Sequence, residues 1–239
     1  WRVERQKALQ ISGRGTFVPL AFDPGEAFQF DWSEDWAIIG NERTKLQVAH
    51  TKLSYSRAFI VRAYLLQTHE MLFDAHNHAF RVLGGVPGRG IYDNMRTAID
   101  KVGRGKGRDV NVRFMAMASH YLYEPEFCNP ASGWEKGQVE KNVQDARHRF
   151  FQPIPRFPSL EALNDWLELR CKECWQQTAH GKMRGTIADI WAEEVQALMP
   201  APRPFDGFVE YTKRVTPTCL VHLERNRYSV PASFANRPV

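Results

Sequence analysis

Apolar and polar residues alternate from Gly25 to Trp32, with Phe28, Phe30 and Trp32 on one side and Gln29 and Asp31 on the other. That period of two predicts a β-strand with Asp31 near its end. Strand-like runs follow at 45–50 and 57–65, and their connections are short enough for antiparallel pairing, so a three-strand meander is expected. At Thr68 the period lengthens to that of a helix, which Thr68 is placed to cap and Gly84-Gly85 to stop. A short strand over 90–92 then leads into Asp93, followed by a helical stretch near 110–120 and a strand near 121–127. Ser132 and Glu135 have the spacing of a capping box at the start of a further helix. Val139, Val143, Ala146 and Phe150 form the buried stripe of that helix, with Glu140 beside the stripe.

Pro153, Pro155 and Pro158 interrupt the pattern before two more helical segments, 159–177 and 186–198. Pro200, Pro202 and Pro204 mark another boundary, beyond which 219–223 and 227–230 read as strands. The expected organisation is a linker over 1–24, an α/β core over 25–152, a helical extension over 153–200 and the start of a small β-rich domain over 201–239. The chain begins at Trp1 and stops just after a strand-like run, so both ends are expected to continue in a longer protein.

The 32 basic residues exceed the 27 acidic ones, giving a net charge of +5 that favours a polyanionic partner. Residues 101–108 (KVGRGKGR) concentrate this charge among glycines, as a loop following a phosphate backbone would, although a solvated surface loop has the same composition. No run of some 20 apolar residues and no secretory pattern occurs in the sequence, so a cytoplasmic protein is expected. Cys128, Cys171, Cys174 and Cys219 do not form a disulfide framework. Cys171 and Cys174, with His180 nearby, have one zinc-like spacing, but Leu160, Leu163, Leu167, Cys171 and Cys174 trace a single apolar helical stripe, which favours core packing.

Three acidic residues fall at junctions between elements: Asp31, Asp93 and Glu140. In-line attack on a phosphodiester uses a pair of cations about 3.5 to 4 Å apart, and hard oxygen ligands must hold them. Two aspartates on neighbouring strands and a glutamate from an adjacent helix meet that need. Each has a rival: Glu34 or Asp35 for Asp31, an ordinary Asp93-Asn94 turn, and Glu135 or a simple Lys136–Glu140 pair on the helix. His76 and His78 lie two apart on a helix and point different ways, so they are poor co-ligands; Trp134 is placed to pack beside a helix start.

GEAFQFDW around Asp31, GVPGRGIYDNMRTA around Asp93 and NPASGWEKGQVEKNV around Glu140 resemble the three signature blocks of IstA-type transposases of bacterial insertion sequences. Those proteins group with retroviral integrases and the Mu phage transposase. The resemblance covers roughly residues 20 to 235 and implies a ribonuclease H-like mixed sheet flanked by helices, followed by the start of a small barrel. It departs from the common form at Phe30-Asp31-Trp32-Ser33, where bulkier residues flank the aspartate. What it implies for chemistry is a DDE enzyme in which Asp31, Asp93 and Glu140 bind two Mg²⁺ ions, Mn²⁺ substituting. The enzyme would cut DNA at element ends and join the freed 3′-hydroxyl to target DNA. An upstream DNA-binding region, homo-oligomers on paired ends, an AAA+ ATPase helper and a nucleoid-associated, bacterial cytoplasmic setting are implied as well. Lys101, Arg104, Lys106, Arg108, Lys136, Lys141 and Arg147 are the candidate DNA contacts. A nuclease that cuts without joining and a silent DNA-binding module on the same fold are the competing readings.

Overall fold

The computed structural model describes residues 21–93, 99–102, 108–128, 143–207 and 212–239. Contacts divide the chain into two units, 1–205 and 206–239.

The first unit is built on a sheet whose central strand, β1 (Ala27–Ile39), runs well past the expected end at Trp32. It pairs antiparallel with β2 (Glu42–Leu53) from Phe28↔Leu53 to Ile39↔Glu42. The two-residue connection is Gly40-Asn41, with φ of 55° and 75°. Two successive positive φ values make the tight hairpin turn whose twist matches the strands, so this dipeptide sets the register. β3 (Phe59–Tyr64) completes the expected meander. β4 (Arg89–Tyr92) joins β1 on its other side, now parallel, and β7 (Glu124–Phe127) joins β4 in the same sense. The order is therefore β3-β2-β1-β4-β7, with the two-residue β8 (Arg156–Phe157) parallel to the far end of β1.

Two further expectations need correcting. The basic segment 101–108 is not a loop throughout, because β5 (Ile99–Val102) and β6 (Arg108–Val110) pair antiparallel across it. β-Branched Ile99, Val102 and Val110 account for that preference. The strand expected from Tyr121 starts later, since Tyr121 ends a helix (Val112–Tyr121) that Leu122 caps in the left-handed conformation at φ 60°.

Helix α1 (His69–Leu83) has its N-terminus capped by Thr68 and ends on Gly84 at φ 87°, as the sequence pattern requires. It covers the face of β1 that carries Phe28 and Phe30. There Phe28 meets Phe80 edge-on at 5.2 Å and Phe30 stacks on His76 at 4.6 Å. The next helix, α2 (Val112–Tyr121), adds Phe114 against Tyr92 at 5.1 Å. The opposite face is covered by a helix over 143–150, here α3, and by α4 (Leu160–Gln177). Phe150 stacks on Phe59, Asn164 brackets the Ala63 backbone with bonds of 2.7 and 3.0 Å, and the Trp175 indole donates to the Phe59 carbonyl. Leu163, Leu167, Cys171 and Cys174 form the buried stripe of α4, and burial pushes the Cys171 thiol up, which disfavours the thiolate a metal would need.

Helix α5 (Ile187–Glu194), opened by a Thr186/Asp189 capping box, ends in a buried carboxylate. Glu194 accepts from the Gly25 amide at 3.1 Å and the Ser56 amide at 2.9 Å, tying the start of β1 and the β2–β3 turn to one side chain. Glu194→Ala would leave both donors buried without an acceptor. It is expected to lower the unfolding free energy by about 3 kcal/mol in urea titrations, and a loss below about 0.5 kcal/mol would mean that the amides find other acceptors.

The second unit contains a hairpin of β9 (Leu220–Leu223) and β10 (Asn226–Ser229), turned by Glu224-Arg225 at φ 48° and 68°. Lys213 and Val239 exchange two backbone bonds of 2.9 Å, which ties its beginning to its end.

Candidate active site

Asp31 and Asp93 come from different strands and are brought side by side by strand register. Phe30 and Tyr92 are the last partners of the parallel β1–β4 pair, and each aspartate is the next residue. Neighbouring strands lie about 4.8 Å apart, so the two carboxylates occupy adjacent positions at the end of β4. Both are half-buried and line one open cleft of about 460 Å³ with Trp32, Ser33, Glu34, Gln47, Gln67 and Arg147. The Trp32 amide donates to Asp31 Oδ1 at 2.9 Å.

The support beneath this pair is aromatic. His76 lies fully buried, and its Nδ1 sits 2.8 Å from the Leu72 carbonyl, a contact in which it can only donate. Its Nε2 is left to accept from the Tyr92 hydroxyl at 2.8 Å, and the Tyr92 and Tyr123 hydroxyls are 2.7 Å apart. Burial pushes the His76 pKa down to about 4, so the ring is neutral at pH 7. Through Phe30 and Tyr92, one imidazole thus braces the residues preceding both aspartates.

On the carboxylate face, His50 is the cross-strand partner of Asp31. It is fully buried with Nε2 2.8 Å from the Ser33 hydroxyl, and burial, then the charge of Arg147, hold its pKa near 3. Arg147 on α3 donates from Nε to Asp35 Oδ1 at 3.0 Å and from a terminal nitrogen to the Glu34 carbonyl at 2.9 Å, which fastens that helix to β1. Asp35 is only 7% exposed, and desolvation raises its carboxyl above the usual range despite Arg147 and Ser33. Arg147→Ala would strand this carboxylate. The expected cost is about 2 kcal/mol, modest because Arg147 is itself partly solvated, with a further rise of the Asp35 pKa visible by carboxyl NMR. An unchanged Asp35 titration would show that the arginine does not set its environment.

The rivals of Asp31 have other partners. Glu34 is exposed and paired with Lys45 at 2.8 Å and Gln47 at 3.1 Å, while Asp35 is committed to Arg147. His78 pairs with Glu168. Of the remaining sequence candidates, Arg147 lines the cleft, and Lys101 and Arg108 lie in β5 and β6. Glu140, Arg104, Lys106, Lys136 and Lys141, with Asn94, Trp134 and Glu135, lie outside the described residues. Sequence reasoning missed Gln47, Gln67 and Ser33 as cleft residues. Ser33 could have been found from the same alternation that placed Asp31, whereas Gln47 and Gln67 depend on register and on the end of β3.

Among the described residues the cleft's polar lining is rich in oxygen, with two aspartates, a glutamate, a serine and two glutamines beside Arg147, and holds no cysteine or histidine. That donor set suits a hard divalent cation such as Mg²⁺ or Mn²⁺ and not zinc. Among the described residues no group of three acidic, histidine or cysteine side chains converges as a metal site.

A mixed five-strand path with helices on both faces and paired carboxylates where a parallel pair ends defines a ribonuclease H-like core. A solved simian T-cell lymphotropic virus intasome, in complex with PP2A regulatory subunit B56 gamma, has the same fold, with a TM-score of 0.54 at 15% identity over 80% of this chain and 62% of that one. A family profile described as Mu transposase, C-terminal domain, matches residues 199–239. A transposase from Aminobacter aminovorans is 90% identical over all 239 residues, covering 47% of that protein. The transposase for insertion sequences IS1326/IS1353 from Pseudomonas aeruginosa is 61% identical over the same span, again 47% of its length. Over its whole length the chain is thus similar to part of the transposases of bacterial insertion sequences. It spans about half the length of the curated relatives it matches.

Proposed function

We propose that this chain carries the catalytic region of a DDE transposase, an enzyme that cuts DNA at element ends and joins the freed 3′-hydroxyl to target DNA. The observation that carries the reading is the placement of Asp31 and Asp93 in adjacent positions on one cleft where β4 ends. Glu140 is the third carboxylate. It stands three residues before 143, the first described residue of the helical segment whose Arg147 lines that cleft. In this reading 25–152 is the core, 153–200 its helical extension and 201–239 the start of a small β-rich domain.

Asp31, Asp93 and Glu140 would hold two Mg²⁺ ions, or Mn²⁺ in their place. The bound cations supply Lewis acidity, activating the entering oxygen and stabilising the leaving one. The chain's own part is positioning. Its sheet fixes the two aspartates relative to each other, and the Arg147–Asp35 pair fastens the helical segment 143–150 to β1. Lys101, Arg104, Lys106, Arg108, Lys136, Lys141 and Arg147 would contact DNA phosphates. Homo-oligomers on paired element ends and an AAA+ ATPase partner complete the assembly, in the bacterial cytoplasm at the nucleoid.

The test is strand transfer of a pre-cut DNA end by the full-length protein with Mg²⁺ or Mn²⁺. Joined product supports the reading. Nicking without joining would identify a nuclease, and binding without either reaction a silent module.

A further inference from the structure

We propose that the pocket lined by Ser54, Tyr55, Arg57, His180 and Lys182 is a phosphate subsite that grips a DNA backbone phosphate away from the carboxylates; this rests on the functional reading above. The Ser54 amide bonds the Ala27 carbonyl at 2.9 Å, which places the pocket at the start of β1. Asp31 is four residues further along, about 13 Å at the rise of an extended strand.

Arg57 is the centre of the argument. It adopts φ 66°, a left-handed conformation that a long side chain rarely takes and that tends to persist where surroundings impose it. Its half-buried guanidinium donates to the His180 carbonyl, and among the described residues no carboxylate forms an ion pair with it. Burial depresses its pKa, a sign of a cation held where a counter-charge would help.

The loop facing Arg57 is built to hold its shape. Ala179 and Thr186 close it with a β-bridge, and the His180 amide bonds the Gly185 carbonyl at 3.0 Å. His180 is buried and uses both ring nitrogens, donating to the Tyr55 carbonyl at 3.0 Å and accepting from the Met183 amide at 3.1 Å. It is therefore neutral and structural. Burial lowers its pKa against the Tyr55 bond, and the charges of Arg57, Lys182 and Lys52 lower it further; of these, Arg57 and Lys182 line the pocket. Ser54 adds a buried hydroxyl with no hydrogen-bond partner among the described residues. At about 170 Å³ the pocket is smaller than sites for drug-sized ligands, which favours a phosphate group over a whole nucleotide.

The test uses full-length protein carrying Asp31→Asn to prevent turnover, with Lys182→Gln added alone and together with Arg57→Gln. DNA affinity is measured across a salt series. Each lost phosphate contact is expected to reduce the slope of log K against log salt by about one, uniformly across DNA sequences. Lys182 is exposed and among the described residues makes no ion pair, so its variant should keep the parent melting temperature. Unchanged slopes in a protein that still binds DNA would overturn the subsite and leave the functional reading intact. A parent that binds no DNA would overturn both. If inorganic phosphate stabilises the parent but not the variants while DNA slopes stay equal, the pocket takes a free anion and the backbone assignment fails.

Discussion

Asp31→Asn and Asp93→Asn should each abolish strand transfer, by about 10³-fold or more, with DNA binding and melting temperature nearly unchanged. Asparagine keeps the size of aspartate and one carbonyl oxygen, so the β1–β4 register and the Phe30–Tyr92 packing have no reason to change. What is lost is the negative charge that, in the proposed function, would hold a hard cation against the scissile phosphate. Glu140→Gln should behave the same way. Joining that survives any one of these substitutions would remove that residue from the metal site. If Asp31→Asn instead lowered the melting temperature strongly, its role would be structural, as its rivals Glu34 and Asp35 have structural partners of their own.

Acid should unfold this protein early. His50 and His76 are fully buried, with pKa values pushed down to about 3 and about 4, whereas an unfolded chain protonates them near 6.5. The unfolded state therefore binds more protons between those limits. The stability these rings contribute is complete above pH 6.5 and is lost as pH falls towards 4 and 3. Each contributes about 1.4 kcal/mol per pH unit, and together they remove on the order of 5 kcal/mol by pH 4, much of a typical domain's stability. Asp35 and Glu194 act in the opposite sense. Burial raises both, so their contribution is full below the ordinary carboxylate range and declines as pH rises through their raised folded pKa values, which partly offsets the acid loss. Urea titrations at pH 7, 6 and 5 should show the slope, and His76→Asn should flatten it by about 1.4 kcal/mol per unit while lowering stability at pH 7. A slope unchanged in that variant would mean that His76 titrates normally in the fold.

Local signals made much of this architecture legible from the sequence. Alternation around Phe28–Trp32 placed Asp31 on a strand, and Thr68 with Gly84 bounded α1 because caps are read from single residues. Non-local pairing was harder to read. Nothing near Tyr92 says that β4 lies parallel to β1, and it is this pairing across 62 residues (93 − 31) that brings the aspartates together. Gly40-Asn41 was a readable hairpin signal for the full length of β1. The Arg147–Asp35 clasp was not, because it depends on how α3 lies across the sheet. Arg57 in its left-handed turn likewise carries no sequence mark, since arginine has no preference for that conformation.

β1 is hydrogen-bonded to β2 along almost all of its length, to β4 at its start and to β8 at its end. Between those two pairings, from Asp31 to Ala37, the second edge of β1 carries no strand among the described residues. Asp31 thus stands where β1 leaves its doubly paired stretch, Ala27–Phe30, whose amide hydrogens are expected to exchange among the last. The same step that frees that edge for the cleft leaves the aspartate anchored through the residue before it.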